Sequence, residues 1–438
     1  MICLKADLVV IGAGPCGFSA ALSAKRNGLD VILVEKRAFP GGVISGAGVN
    51  SMLTFFSLKG EKIVGGIPQE MIDDLVSAGA SLGHIRDTVG VAWSVTPISP
   101  SAVSLYFTHK CSKEGIRLLT NCEFKNANVK NNRIISVICK KENEALKLSA
   151  PLFLDSSGEG VLGEFSGAEL LPAENSGKMP MTLIFNVGNV NKSEIIKYID
   201  GNRYEFHHET LWDELKVSKA IGVSGFFSLW KEANLSVPRD RILFYETLNK
   251  GEVSVNSTRI FSNSDSSFYE KGLHQVYEIA QFLRNKVPGF KESFISCIYP
   301  FIGIREGNRI KGHYSLKADD VILGRRFSDE ITFGGFPIDI HSSKTDGLQS
   351  ISLKGAGFYG IPYRTLVSFN IENLFIGGKC FSAEFEAHAS ARVQATAMAL
   401  GQAAGTAASL CVLDKKLPCE INTDKLRQKL FEDKALLF

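Results

Sequence analysis

Two histidines in the second half of the chain are of the type that exchanges protons near neutral pH. His341 follows Asp339 by two positions in the sequence PIDIHS, and a carboxylate can fix the tautomer of an imidazole if the fold brings the two together. His388 stands in the sequence EAHASARVQ and is a second group of this kind. We interpret both as catalytic proton carriers, with a structural histidine as the alternative for each.

Arginines in the same half could hold an anion. Arg305 and Arg309 are four residues apart, so on a helix they would share a face and could clamp an acidic group. Glu306 could instead pair with either arginine, which would make the motif structural, and both interpretations stay open. Such groups need elements that bring them to one place beside a bound ligand, and the start of the chain indicates that ligand.

The chain opens with a pattern typical of dinucleotide binding. An apolar strand leads into Gly12, Gly14 and Gly17, an alanine-rich helix follows, and a second strand ends at Glu35. In such a loop the first glycine permits a tight turn, the second lets backbone approach a pyrophosphate, and the third lets the helix pack on the strand. Glu35 stands where a carboxylate accepts hydrogen bonds from ribose hydroxyls, and it would repel a 2′-phosphate. The order predicts a dinucleotide site, with a chance glycine-rich turn as the alternative.

Length and composition limit the remaining possibilities. The 438 residues exceed what one hydrophobic core normally supports, so at least two domains are expected. Lysine plus arginine number 49 against 46 acidic residues, a net charge of +3 that does not indicate a nucleic-acid partner. The nine cysteines form no CxxC pair, which favours reduced thiols in a cytoplasmic protein over a dithiol centre or a metal site. Residues 395–413 lack charge but are rich in small side chains, so we predict a buried helix rather than a membrane span.

The pattern of elements changes along the chain. Helices are predicted over 68–78, 100–115 and roughly 269–286, and IRLLTNCEF is predicted to form one strand. Between about 180 and 360, strand-like runs rich in aromatic residues indicate a separate sheet inserted into the first domain. The predicted limits are 1–175 for the first part of the nucleotide-binding domain, 176–362 for the inserted substrate domain, and 363–438 for the C-terminal part that completes the nucleotide-binding domain.

Sequence motifs spread over nearly the whole chain resemble those of FAD-dependent oxidoreductases with a glutathione-reductase-like nucleotide fold. Within that group the chain is similar to a bacterial family of stand-alone flavoproteins, distantly similar to the flavoprotein subunits of fumarate reductase and succinate dehydrogenase. The motifs are IGAGPCG with VEK, FPGGVISGAGV, GIPQEMIDDLVSAGA, SSGEG, KMPMTLIFNVG, VPGF, IGIREGNRI, FPIDIHS, IPYRTLV and NLFIGGKCFSAEFEAHASARVQATAMALGQAAG.

The resemblance implies an α/β fold, a Rossmann-like FAD-binding domain carrying an inserted mixed α+β substrate domain. It also implies a set of FAD-binding residues: Gly12, Gly14, Pro15, Cys16, Gly17, Glu35, Lys36, Gly41, Gly42, Val43, Ser157, Gly158, Gly378 and Val393. FAD is expected to be bound noncovalently, because the chain lacks the histidine that tethers it in fumarate-reductase-like subunits. A helix starting near Ser390 is expected to direct its positive end at the flavin pyrimidine.

On the substrate side the resemblance is less complete. Arg392 occupies a place similar to that of a substrate-binding or flavin-facing arginine, with a structural ion pair as the alternative. Gly307 and Asn308 stand where the family commonly carries Ser and Arg, so one positive charge is missing and the substrate does not carry over. The catalytic residues that we predict are Arg305, His341, His388 and Arg392.

These observations predict an FAD-dependent oxidoreductase that transfers a hydride between a small organic substrate and flavin N5. No second GxGxxG unit is present, so the electron partner is expected to be external. Two alternatives remain: an FAD-binding subunit whose flavin is structural or regulatory, and an NAD-dependent dehydrogenase. No integral membrane contact is expected, and the oligomeric state stays open.

Overall fold

The structure is a computed structural model that describes residues 1–172, 179–261, 267–341 and 348–438. The predicted domain limit at 175/176 lies outside the described residues.

The described strands and helices follow in chain order. The strands are β1 (Ile2–Lys5), β2 (Leu8–Ile11), β3 (Val31–Val34), β4 (Ser51–Leu53), β5 (Ile85–Arg86), β6 (Ser94–Pro97), β7 (Arg117–Leu119), β8 (Cys122–Lys130), β9 (Arg133–Lys141), β10 (Glu144–Ser149), β11 (Leu152–Asp155), β12 (Phe185–Gly188), β13 (Gly222–Gly225), β14 (Ile242–Glu246), β15 (Val253–Val255), β16 (Phe294–Ile298), β17 (Glu330–Gly334), β18 (Ile338–His341), β19 (Leu348–Ile351), β20 (Tyr359–Pro362) and β21 (Leu374–Ile376). The α-helices are α1 (Pro15–Arg26), α2 (Val43–Ala47), α3 (Ile67–Ser77), α4 (Pro100–Glu114), α5 (Val161–Phe165), α6 (Lys192–Gly201), α7 (Trp212–Val217), α8 (Phe227–Ala233), α9 (Phe268–Lys286), α10 (Ala318–Ile322), α11 (Phe385–Ala391), α12 (Gln394–Asp414) and α13 (Thr423–Glu432). Short 3-10 turns cover Arg203–Glu205, Tyr363–Leu366, Gly378–Cys380 and Pro418–Glu420.

A five-stranded parallel sheet carries the nucleotide fingerprint. Its strand order is β21-β11-β2-β3-β7, and all four neighbouring pairs are parallel. Strands β2, β3, β11 and β21 are buried along their whole length, as expected for a sheet covered on both faces. The predicted order of strand, glycine loop, helix and strand is confirmed by β2, α1 and β3. The C-terminal strand β21 completes the sheet beside β11.

Helix α12 is a core helix that packs along α1. Small residues bring the two backbones close, because a methyl group on Gly401 would overlap Cys16 O and one on Gly405 would overlap Ala20 O. Among the described residues it is the one helix long and apolar enough to cross a membrane, and most of it is buried inside the protein. The prediction of a buried helix is therefore confirmed.

A second, antiparallel sheet forms the inserted part of the chain, with the strand order β13-β14-β15-β12-β16. It has its own apolar core, to which α9 contributes Val276, Ile279, Phe282 and Leu283. The predicted fold class is thereby confirmed. Residues of β17, β18 and β20 pack instead in the core that contains α1 and α12. The limits of the domains stay predictions.

The local predictions hold where proline, serine or glycine marks the end of a helix. Helix α3 has Pro68 in its first turn, and α4 runs from the Ser99 cap to Gly115, which has a φ of +71°. The segment IRLLTNCEF was predicted to be one strand, and this is wrong. It divides into β7 and β8 because Asn121 adopts a left-handed conformation with a φ of +51°.

Candidate active site

The three glycines of the first loop differ in their surroundings: two are packed closely against backbone, and one borders open space. Gly12 has a φ of +101°, which permits the tight turn, and it donates its N–H to Val34 O at 2.8 Å on the neighbouring strand β3. A methyl group on Gly17 would overlap Gly12 O, so this glycine lets α1 lie against the strand. A methyl group on Gly14 would meet only Gly42 Cα at 3.8 Å. The backbone at Gly14 therefore borders open space at the N-terminus of α1, where an anion binds favourably.

A second glycine pair lies directly beside the first loop. Gly41 donates its N–H to Ala13 O at 2.8 Å, and a methyl group on Gly42 would lie 2.9 Å from Gly14 Cα. Both glycines have positive φ, +116° and +55°. This close approach of backbones brings the predicted FAD residues of both loops together and leads the chain into α2.

Glu35 is buried next to the loop. Its Oε2 accepts the Ala13 N–H at 3.0 Å and its Oε1 accepts the Arg37 N–H at 3.0 Å. Burial raises the pKa of the carboxyl, although both hydrogen bonds oppose this. The neighbouring Lys36 forms an exposed ion pair with Glu159 at 3.1 Å. The contact of Glu35 with the ribose of the cofactor stays a prediction.

The other predicted FAD residues surround this loop mainly through packing. Burial raises the pKa of Cys16 to about 12, and its side chain lies against Gly378, where an added methyl group would be 3.2 Å from Cys16 Cβ. Ser157 donates its hydroxyl to Asp155 Oδ1 at 2.7 Å and so braces the end of β11. A methyl group on Gly158 would lie 2.9 Å from Lys379 Cε, so this glycine makes room for a lysine. Contact of these four residues with the cofactor stays a prediction.

A cavity of about 310 Å³ opens beside this loop, between the parallel sheet and the inserted sheet. On the nucleotide side its wall includes Val43, Lys379, Val393 and Gln394. The predicted FAD residues Val43 and Val393 thus border the same cavity as three of the predicted catalytic residues, which are Arg305, His341 and Arg392.

The long helix at this wall begins later than predicted. Ser390 lies in the last turn of the short helix α11, which ends at Ala391, and its hydroxyl donates to Phe336 O at 2.5 Å inside the protein. The chain then turns at Arg392, and α12 starts at Gln394 with no side-chain cap and no acidic residue in its first turn. The expected start near Ser390 is wrong, because the turn at Arg392 and Val393 separates two helices. The free N–H groups of α12 lie at the cavity wall and favour negative charge there.

His341 and Asp339 form the imidazole–carboxylate pair that their spacing predicted. Both lie on β18, where residues two apart point to the same side, and His341 Nε2 is 3.2 Å from Asp339 Oδ2. Burial and the charge of Arg305 lower the pKa of His341 to about 3, so its ring is neutral at neutral pH. Burial favours protonation of Asp339, but the contact with His341 and the charges of Arg392 and Arg305 outweigh it and lower the pKa of that carboxyl to about 2.

Arg392 and Arg305 are held mainly by neutral oxygen atoms. Arg392 donates to Asp339 O at 3.2 Å, and its distance to the Asp339 carboxylate is 4.0 Å. Arg305 donates to Pro180 O at 2.5 Å and to Thr182 Oγ1 at 2.7 Å. Burial and the charge of Arg392 lower the pKa of Arg305 to about 9. Two adjacent guanidinium groups thus face the cavity, and carboxylates neutralise their positive charge only in part.

The expected clamp of Arg305 and Arg309 on one helix face is wrong. Residues 304–309 form no helix, and the two side chains point to different places. Arg309 donates to Ala383 O at 2.9 Å and to Pro172 O at 2.6 Å, away from the cavity. Glu306 accepts the Met179 N–H at 2.6 Å. Of the two arginines, only Arg305 lines the cavity.

His388 lies behind the cavity wall and does not line it. Its side chain is fully buried, and Nε2 is 3.1 Å from Lys379 O. Burial and the charge of Arg392 lower its pKa to about 3. This contact can hold Lys379, whose Nζ donates to Ile304 O at 2.7 Å and whose pKa burial lowers to about 8. A catalytic role for His388 stays a prediction.

Sequence reasoning missed several cations of the cavity. Besides Lys379 they are Arg239, Arg241 and Arg259, contributed by the inserted sheet. The sequence PRDRI does place two of them immediately before a strand, but no motif or period marks them as site residues. Their place becomes visible only once β14 and β15 are paired.

A glycine cradle at the edge of a parallel sheet, joined to a polar cavity under a second sheet, is the arrangement of a dinucleotide-binding protein with room for a second ligand. The chain belongs to the family of FAD dependent oxidoreductases, whose family model matches residues 7–430. Its cofactor is FAD, and the open space at Gly14 and the uncapped N-terminus of α1 fit that group.

Shorter matches join the chain to other flavoproteins. It is 67% identical over 39 residues to a thioredoxin reductase of Ureaplasma parvum, covering 9% of this chain and 12% of that protein. It is 49% identical over 50 residues to a probable fumarate reductase of Shewanella frigidimarina, covering 11% of this chain and 8% of that one. The chain thus spans only about a tenth of the length of these curated relatives.

Solved structures share the fold across nearly the whole chain. A geranylgeranyl bacteriochlorophyll reductase-like protein from Thermoplasma acidophilum has a TM-score of 0.52 at 12% identity, covering 99% of this chain and 84% of that one. The flavin-dependent brominase Bmp2 has a TM-score of 0.50 at 10% identity, covering 98% and 83%. At these identities the similarity concerns the fold alone.

Two alanine substitutions separate cofactor binding from folding. Gly14→Ala is expected to weaken FAD binding by at least about tenfold, because its methyl group fills the space beside α1. Gly17→Ala is expected to lower the free energy of unfolding of the FAD-free protein by about 1–3 kcal/mol through its overlap with Gly12. FAD titration and denaturant unfolding of both variants measure this. Equal effects of both variants on FAD affinity and on the free energy of unfolding would contradict the assignment of Gly14 to cofactor binding and of Gly17 to packing.

His388 makes stability depend on pH in a defined direction. Its pKa is lower in the folded protein than the usual value of 6.5, so protonation favours the unfolded chain. The stability of the neutral form is present above pH 6.5 and is lost as the pH falls towards 3. The destabilisation caused by His388→Gln should therefore be about 2 kcal/mol smaller at pH 5 than at pH 7.

Denaturant unfolding at both pH values measures this difference. His109→Gln, at an exposed site on α4, is the matched control and should show the same difference from wild type at both values. An effect of His388→Gln that does not change with pH would disprove a neutral, buried His388.

Proposed function

We propose that the protein transfers a hydride between a small organic molecule and FAD in the cavity between the two sheets. The observation that carries this proposal is a shared wall: Val43 and Val393, expected at the cofactor, border the same cavity as His341, Arg305 and Arg392. An enzyme that moves a hydride must also handle a proton and orient its substrate. The cavity contains residue types suited to both tasks.

When bound, FAD supplies a hydride acceptor or donor at flavin N5. His341 carries the proton: with Nε2–H donated to Asp339, its Nδ1 is an acceptor that takes a proton from the substrate, or returns it in the reverse direction. Asp339, whose lowered pKa keeps it ionised, fixes the tautomer and stabilises the imidazolium that forms. The 3.2 Å contact between the two side chains supports these roles.

Arg305 and Arg392 orient the substrate by hydrogen bonds to an acidic or carbonyl oxygen. Their guanidinium groups are anchored by carbonyl and hydroxyl oxygens, so most of their charge is available to a ligand. The first-turn N–H groups of α12 stabilise negative charge that develops at the same wall. FAD is held noncovalently, and the electron partner is external. A cytoplasmic location, without a nucleic-acid or integral membrane partner, remains part of this proposal.

The test is reduction of the holoenzyme under anaerobic conditions. A panel of alcohols, amines and acids is mixed with the oxidised enzyme, and loss of flavin absorbance at about 450 nm is followed. With a compound that reduces the wild type, His341→Gln should slow reduction at least about 100-fold, the usual contribution of a general base. FAD content should not change.

His109→Gln, an exposed histidine far along α4, is the control and should reduce at the wild-type rate. An unchanged rate for His341→Gln would overturn its assigned role. If no compound of the panel reduces the oxidised flavin and no small molecule reoxidises the photoreduced flavin, the flavin is structural or regulatory. If the bound cofactor proves by mass to be a nicotinamide, the protein is an NAD-dependent dehydrogenase, and the proposal fails.

A further inference from the structure

The inserted sheet has one apolar face and one polar face, because side chains alternate between the two along each strand. Val223, Phe244 and Val255 lie in register and belong to the apolar core that the sheet shares with α9. Their chain neighbours point the other way and line the cavity. We call these neighbours the cavity face of the sheet, and only one of the five is apolar: Ser224, Leu243, Tyr245, Ser254 and Asn256.

Strand pairing places the polar residues of the cavity face side by side. Tyr245 is opposite Ser254 on the neighbouring strand, and Ser224 is opposite Leu243. Asn256 continues the ladder after β15, because its N–H donates to Leu243 O at 2.9 Å. Opposed residues of an antiparallel pair have Cβ atoms about 4.5–5.5 Å apart, so one small ligand can contact several of these side chains.

Tyr245 is held on the cavity face by a buried loop. A methyl group on Gly222, which is opposite Tyr245, would overlap its ring, so this glycine makes room for the ring. The hydroxyl donates to Asp87 Oδ1 at 3.3 Å. Asp87 is fully buried and also accepts the N–H groups of Val89 at 3.2 Å and Ala92 at 3.1 Å. Since Asp87 engages its only proton, the Tyr245 oxygen offers lone pairs to a ligand.

The protonation states of this pair agree with that direction of the hydrogen bond. Burial raises the pKa of Asp87 to about 6, although the hydrogen bonds that it accepts oppose this. Burial and the charge of Asp87 raise the pKa of Tyr245 well above its ordinary value. At neutral pH the carboxyl is therefore mostly ionised and the phenol keeps its proton.

The other polar groups of the cavity face lack partners in the part of the chain that the structure describes. Ser224 and Ser254 are buried, with 7% and 4% of their surface exposed, and neither hydroxyl forms a hydrogen bond to a described residue. Asn256 Oδ1 is buried and has no hydrogen-bond partner there either. A buried polar group without a hydrogen bond is costly. These side chains therefore favour a ligand that supplies the missing hydrogen bonds.

The chemistry of these side chains selects the ligand group. Serine and asparagine side chains both donate and accept, whereas the Tyr245 oxygen can only accept from a ligand. A carbonyl or carboxylate oxygen has no proton to give to Tyr245, and an amide N–H cannot accept. An ammonium group is repelled, because Arg239, Arg305 and Arg392 line the same cavity. A neutral hydroxyl group both donates and accepts, and it fits all of these side chains.

We propose that the cavity face binds neighbouring hydroxyl groups of a polyol segment of the substrate, with Tyr245, Ser254 and Asn256 as the residues that determine this specificity. The description of the ligand as the substrate rests on the proposed function. The binding of a polyol does not, because it requires no turnover.

Binding of simple polyols to the oxidised holoenzyme tests this proposal. The probes are glycerol, erythritol, ribitol and glucitol, each compared with the unbranched 1-alkanol of equal carbon number, and binding is followed by calorimetry and by the flavin absorption spectrum. The polyol of best-fitting length should bind at least about tenfold more tightly than its alkanol, because the alkanol leaves the polar side chains unpaired. Equal or tighter binding of every alkanol, or no binding of any polyol, would overturn the proposal.

Substitutions assign the preference to the cavity face. Tyr245→Phe and Ser254→Ala should each weaken binding of the best polyol at least about fivefold and binding of its alkanol less than about twofold, since each removes one neutral hydrogen bond. Tyr277→Phe on α9 and Ser193→Ala on α6 are the matched controls at exposed positions and should change neither affinity. Equal weakening of polyol and alkanol by both cavity variants would indicate a general change of cavity shape and contradict the proposal.

FAD content separates ligand recognition from cofactor binding. Tyr245→Phe and Ser254→Ala should keep the wild-type FAD content, and loss of FAD with an unchanged polyol preference would show that these side chains serve the cofactor and overturn the proposal. If a variant does not fold, the wild-type comparison still decides.

The two proposals can fail separately. Failure of the polyol preference leaves hydride transfer untouched, because another substrate could still reduce the flavin. Failure of hydride transfer leaves the binding result untouched, because these titrations use the oxidised enzyme.

Discussion

Repulsion among cations in a half-buried cavity is the constraint on which the rest of the site depends. Charges repel more strongly where water is scarce, and burial together with neighbouring guanidinium groups lowers the pKa of both Arg305 and Arg239. The same field keeps Asp339 ionised and His341 neutral, although the two side chains touch. Carbonyl oxygens hold Arg392 and Arg305 in place without cancelling their charge. The cavity is therefore arranged to receive negative charge from a ligand.

The cofactor loop and the cavity are joined by short stretches of chain. Gly42 contacts Gly14 at the first loop, and the next residue, Val43, already lines the cavity. On the other side, Lys379 follows the glycine pair after β21, passes Gly158 and donates to Ile304 O. Helix α12 packs on α1 along its length and begins at the cavity wall. The cavity and the predicted FAD-binding loop are thus built from neighbouring parts of the same core.

The sequence was most predictive where the chemistry is local. The glycine loop, the helices α3 and α4 and the pair of Asp339 and His341 all depend on residues a few positions apart, and each was found as predicted. A spacing of four would place Arg305 and Arg309 on one face if their segment were a helix, but the segment is not helical. The Arg305 side chain donates to Pro180 O and Thr182 Oγ1, whereas that of Arg309 donates to Ala383 O. Arg239 and Arg259 could not be found, because only the pairing of β14 with β15 brings them together. Long-range pairing leaves no periodic signal in the sequence.

The midpoint reduction potential of the bound flavin tests the central claim most directly. Under the proposed function, the arginines, the lysine and the N-terminus of α12 at one wall would stabilise the reduced, negatively charged flavin more than the oxidised one. The potential of the holoenzyme should therefore lie above that of free FAD in the same buffer by at least about 30 mV, which corresponds to about 1.4 kcal/mol for two electrons. A potential equal to or below that of free FAD would show that the positive wall does not act on the flavin and would contradict the account.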